Sequence, residues 1–127
     1  MNSLALMKVI YAANTLVAGW ISLTSLFMPR VAQVTVFSNS IAYSEAIRLV
    51  GALWGGIFVL SALGLFFPQS MSLVLLFQLI YKTSWLLVVA LPAYLTSQPY
   101  PKAMAAFFLV WVVVLPFAIP WGWLFSR

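Results

Sequence analysis

The sequence predicts an all-α integral membrane protein: a bundle of four transmembrane helices joined by short loops. Composition points there first. Hydrophobic residues make up 65% of the chain, charged residues only 6%, and mean hydropathy is +1.12. A soluble domain is roughly half apolar and about a quarter charged, so polar side chains are too few to cover a water-facing surface. The apolar residues also fall into four runs, each near the roughly 20 residues that a helix needs to cross about 30 Å of hydrocarbon. These runs do not alternate apolar with polar residues, as barrel strands do.

The elements follow in order. Val9 to Met28 is the first run, closed by Pro29 and Arg30. Its flanks lack the A-x-A site of a cleaved signal peptide, and the expectation is a retained span. Val31 to Tyr43 is the longest loop, expected to be irregular with a turn of helix. The second span starts near Ser44 and ends at Phe67. Phe67-Pro68-Gln69-Ser70 is short enough to fold spans two and three into an antiparallel hairpin. Met71 to Leu95 is the third run, and Ala103 to Phe125 the fourth. Pro99 and Pro101 disfavour helix between them. The expected spans are therefore 7–28, 44–67, 71–95 and 103–125, all in one domain covering 1–127.

Four crossings put both termini and the Pro68 turn on one side, with Lys8 and Arg127. Arg30, Arg48 and Lys102 fall on the other. Lysine and arginine bias orients a membrane protein, and this near-even division leaves the orientation open. The cations are scattered, so no basic stripe for a nucleic acid exists. They suit lipid head groups instead.

The chain has no cysteine and no histidine, and Glu45 is its one acidic side chain. Thiol chemistry, haem held by His or Cys, and His- or Cys-ligated metals are excluded within this chain. So is a paired-carboxylate site within one monomer. No catalytic residue, metal site or cofactor is expected.

Gly51 and Gly55 form a GxxxG pattern in the second span, where small residues let helices approach closely. Tyr11, Thr15, Ala18, Ser22 and Ser25 make a comparable stripe on the first. The two are expected to pack within the chain, with a homodimer seam as the other use of the pattern. Glu45 and Arg48, three apart at the start of the second span, are expected to pair. Pro116 and Pro120 in the fourth run predict a kink near Pro116.

Lys82 is the residue that asks for a function. It lies about 11 residues into the third run, roughly 16 Å along the axis and close to the midplane. A central lysine costs about 2.5–3.5 kcal/mol on insertion scales. Gln78, Lys82 and Trp85 share one helical face, and Asn14 should stand at a similar height on the first span. With Tyr11 or Tyr81 they predict a polar ligand pocket. Glu45 lies about 18 Å away along the axis, so Lys82 has no anionic partner in the chain. It either sheds its proton in the apolar interior, snorkels, binds backbone carbonyls freed on the fourth helix, or meets an anionic ligand, a lipid head group or a partner subunit.

The stretch Ile47-Arg-Leu-Val-Gly-Ala-Leu-Trp-Gly-Gly-Ile-Phe-Val-Leu-Ser-Ala-Leu-Gly-Leu-Phe-Phe-Pro68 resembles the second span of DoxX-like small membrane proteins. In that group an arginine at the span start precedes a glycine and a small-residue helix ending in Leu-Gly-Leu. Length and four-span layout resemble it too. The resemblance implies a bacterial inner-membrane protein, and some relatives are membrane subunits of quinone-associated redox enzymes. The acidic residue that some members carry inside this span is absent here, and Trp54 stands in that region.

The expected function is a non-catalytic accessory or small-ligand-binding subunit. Its partners would be the bilayer, a hydrophobic or anionic ligand such as a lipid or quinone, and a membrane protein or second copy. A transporter of the small multidrug-resistance type is the alternative, although such transporters use a glutamate in the first span that is missing here. A membrane isomerase or oxidoreductase would have only Lys82 and Tyr81 as acid–base groups.

Overall fold

The computed structural model describes residues 3–37 and 44–125. Arg127 and the 38–43 part of the first loop lie outside them. All regular elements among the described residues are helical. They are α1 (Ser3–Phe27), α2 (Pro29–Thr35), α3 (Ala46–Gly64), α4 (Leu73–Trp85), α5 (Leu91–Leu95), α6 (Lys102–Ala118) and α7 (Trp121–Phe125). Wider π turns over Leu86–Ala90 join α4 to α5 without a break.

Among the described residues, three helices are long and apolar enough to cross a membrane: Leu4–Phe27, Ala46–Gly64 and the continuous Leu73–Leu95. Lys102–Ala118 is apolar but shorter, at 17 residues. The side-chain distribution is inverted relative to a soluble protein. Asn14, Ser22, Thr24, Ser25, Ser61, Ser72, Gln78 and Lys82 are buried, while Leu16, Phe66, Val88 and Phe117 are about three-quarters exposed. An apolar exterior of that extent requires an apolar solvent, and the chain is a multi-pass membrane protein.

Two close helix pairs make the bundle. α1 packs along α3, α4 packs on α6, and α1 touches α6. The seam between α1 and α3 is built from the small residues noted above. A Cβ at Gly51 would come within 2.7 Å of the Leu26 backbone nitrogen, and one at Gly55 within 3.0 Å of Ser22 Oγ. Ser22 Oγ also donates to Gly51 O at 2.8 Å. The GxxxG pattern therefore serves packing within the chain. Gly64 extends the seam, because a Cβ there would strike the Tyr11 ring.

The buried apolar residues stack in three layers. Met7, Ile10, Tyr11, Val74, Leu75, Leu115, Ala118 and Ile119 fill the end nearest the Pro68 turn. Ala18, Ile21, Trp54, Ile57 and Phe108 fill the middle. Ala32, Phe37 and Ile47 close the far end. The first loop contributes more helix than the sequence suggested, since α2 buries Pro29 and Ala32 there.

Two further prolines shape the helices. The fourth helix does not break near Pro116, which lies inside α6. It ends at Ala118, with Ile119 extended (φ −65°, ψ 127°). Proline disfavours helical backbone in the residue before it, so Pro120 sets the break. Pro120 also lacks the N–H that would reach Pro116 O, and the Trp121 indole supplies a donor to that oxygen at 2.8 Å. In the third helix the π turns precede Pro92, whose ring would crowd the Val88 carbonyl in an ordinary α turn.

Candidate functional site

Helical spacing on α4 puts Gln78, Lys82 and Trp85 on the face turned toward the other helices. Gln78 and Lys82 have no exposed surface and Asn14 almost none. The backbones of α1 and α4 stay apart, so the space between the helix pairs is bridged by side chains. Trp111 Nε1 on α6 donates to Asn14 Oδ1 at 2.9 Å. Asn14 Nδ2 on α1 donates to Gln78 Oε1 at 2.7 Å. One relay thus joins three helices.

The polarity of that relay is determined at its first member. An indole N–H can only donate. Asn14 must therefore present its oxygen to Trp111 and its nitrogen to Gln78, and Gln78 must receive with its oxygen. The nitrogen of Gln78 is left over as a donor.

One turn along α4, Lys82 Nζ sits in a cage of aromatic rings. The ring centroids lie 4.7 Å away for Phe108, 5.2 Å for Trp54, 5.6 Å for Trp111, 5.7 Å for Tyr81 and 5.8 Å for Phe107. α3, α4 and α6 all contribute. The rings brace one another: Trp54 stacks on Phe108 at 6.2 Å, and Tyr81 meets both edge-on. A cation over a ring face gains about 2 kcal/mol or more when desolvated. Against a cost of about 2.5–3.5 kcal/mol for a central lysine, the cage offsets a large share.

Hydrogen bonding is incomplete. Lys82 Nζ, Gln78 Nε2 and the Tyr81 hydroxyl are buried, and among the described residues none has a hydrogen-bond partner. The Gln78 side chain lies near enough to the Tyr81 hydroxyl to interact with it. Carbonyls freed on the fourth helix do not reach Lys82. Each unpaired group can donate, and a buried donor left unpaired costs about 1–3 kcal/mol.

The structure brings together Asn14, Gln78, Tyr81 and Lys82 and places the other candidates elsewhere. Tyr11 lies in the end layer, where its hydroxyl donates to Pro68 O at 2.6 Å. Trp85 packs edge-on against Phe108 at 5.3 Å and buttresses the cage from outside. Arg48 Nε lies 3.8 Å from Glu45 Oε2, with both side chains substantially exposed at the start of α3. Sequence reasoning missed Phe107, Phe108 and Trp111 as partners of Lys82. Residues 103–118 are apolar on every side, so no pattern in the sequence marked these three rings as facing Lys82.

No protein-family model matches this chain, and no curated protein or solved structure matches it.

Proposed function

We propose that the chain is a four-span protein of the bacterial inner membrane that binds a small hydrophobic or anionic ligand at Lys82 and performs no catalysis of its own. The observation that carries this reading is the buried Lys82 Nζ, ringed by aromatic faces and lacking a hydrogen-bond partner among the described residues. An ionisable group at such depth marks a functional site by default.

The fourth span rests on α6 and α7 together. At 1.5 Å per residue α6 is about 25 Å long, and the Trp121–Phe125 helix extends the apolar path beyond Pro120. The resemblance of Ile47–Pro68 to DoxX-like spans supports a role as the accessory subunit of a larger membrane assembly. The pocket lacks a carboxylate, which speaks against proton-coupled transport of the multidrug-resistance type.

Native mass spectrometry of protein released from gently solubilised membranes tests the reading. Wild type should carry a bound lipid, quinone or anion that Lys82→Met loses. A bare chain in both samples would remove the ligand site and leave Lys82 as a lysine held by its rings alone.

A further inference from the structure

α3 and α4 are consecutive in the chain yet touch little along their length. Between them runs a crevice of about 220 Å³ lined by Val50, Leu53, Trp54, Ile57, Phe77 and Tyr81. Leu53 and Phe77 are among the exposed apolar side chains of the bundle, so the crevice opens sideways, toward lipid. Its back wall is Trp54 and Tyr81. The same two rings lie 5.2 Å and 5.7 Å from Lys82 Nζ. Crevice and cage therefore share these two rings.

We infer that this lateral crevice admits a long-chain carboxylate and that displacement of the Tyr81 ring opens it to the cage, where Gln78 Nε2, the Tyr81 hydroxyl and Lys82 Nζ take the head group. The inference rests on the binding role proposed above and specifies its ligand. Chemistry selects the head group. Gln78 Nε2 and the Lys82 ammonium can only donate, and the Tyr81 hydroxyl can do either, so an accepting ligand satisfies all three. Trp111 fixes this through Asn14, since the relay cannot reverse to present the oxygen of Gln78. A single carbonyl oxygen has two lone pairs, whereas a carboxylate offers about four acceptor sites on two oxygens. Three donors, one of them on an ammonium, match the carboxylate. Charge agrees: Glu45 is paired with Arg48 at the start of α3, so among the described residues the lysine lacks an internal counter-ion. Shape agrees as well, because an apolar slot open to the bilayer suits a chain that continues into lipid.

Purified protein in detergent, offered stearate, stearylamine or methyl stearate, tests this by native mass spectrometry. Wild type should retain one stearate, with the amine and the ester held at least tenfold more weakly. Gln78→Glu should still accept the Asn14 hydrogen bond, so its thermal unfolding should match or exceed wild type. It replaces a donor with an acceptor beside Lys82 and should weaken stearate retention at least tenfold. Equal retention of amine and acid, or stearate retention unchanged in Gln78→Glu, overturns the inference. If a different native ligand is lost in Lys82→Met while stearate shows no preference, the carboxylate is wrong and the Lys82 site stands. If no native ligand and no preferred probe are found, both fall.

Discussion

Asn14 donates its amide to Gln78 at 2.7 Å across a gap that the backbones of α1 and α4 do not close. The bond joins the two helix pairs, and the Trp111 indole behind it gives it a direction. Packing in a bilayer gets no help from the hydrophobic effect, because lipid tails are as apolar as leucine. Specific polar contacts between helices consequently decide how the pairs are set against each other.

Asn14→Ala should be the most damaging single change to that arrangement. It leaves both the Trp111 N–H and the Gln78 oxygen without partners. Interhelical hydrogen bonds in membranes average about 0.6 kcal/mol, while orphaned buried groups cost about 1–3 kcal/mol. A loss of roughly 2 kcal/mol is expected in reversible unfolding from mixed micelles. A double-mutant cycle with Gln78→Leu should show coupling of about 1 kcal/mol. Additive effects would mean that the bond contributes nothing to joining the pairs.

The glycines of α3 separate packing from propensity. Gly51→Ala drives a methyl against the backbone of α1, where no flexible side chain can yield. Overpacking of that kind costs about 1–3 kcal/mol. At Gly56 a methyl group would meet nothing within 4 Å. Gly56→Ala should be neutral or stabilising by up to about 1 kcal/mol, from helix propensity. The two variants compared in the same unfolding assay should differ in sign or be well separated, and equal effects would place the α1–α3 seam elsewhere.

Lys82 and Phe108 should be energetically coupled. If the ring face holds the ammonium, Phe108→Leu will cost more in wild type than in Lys82→Met, by about 0.5–2 kcal/mol. Lys82→Met itself should not destabilise, because replacing a buried charge by an apolar side chain of similar volume is often neutral or stabilising. Lys82→Glu should prevent folding, since it sets a carboxylate against the negative faces of the same rings. A zero coupling would show that the cage is packing alone.

The parts legible in the sequence were those where one residue acts locally. Pro29 and Pro68 mark helix ends because proline acts on its own backbone and on the residue before it. Gly51 and Gly55 announce close approach because only a small residue permits it. Lys82 is visible because charge is rare in an apolar run. The cage was not legible for a corresponding reason. Residues 103–118 are apolar on every side, so no periodicity shows that Phe107, Phe108 and Trp111 turn inward. Tyr11 misled in the opposite way. It lies on the same stripe as the other small and polar residues of α1, but a carbonyl at the Pro68 turn takes its hydroxyl. Pro120 sets the end of α6 in the same local way, through the constraint it places on Ile119.

Whether the fourth helix crosses the membrane can be read from three positions. The chain has no cysteine, so single substitutions label without background. Ser70→Cys lies in the turn between α3 and α4, Gln98→Cys follows α5, and Phe125→Cys ends α7; all three side chains are exposed. The continuous Leu73–Leu95 helix should put Ser70→Cys and Gln98→Cys on opposite faces for an impermeant maleimide. If α6 and α7 complete a fourth span, Phe125→Cys will be labelled from the face of Ser70→Cys. The length of α6, about 25 Å, makes this the critical crossing, because the hydrocarbon is about 30 Å thick and a short helix must thin it locally. Labelling of Phe125→Cys from the face of Gln98→Cys would mean that α6 enters and returns, with its break at Pro120 acting as a re-entrant turn. The aromatic cage would then be formed by three spans and a re-entrant helix.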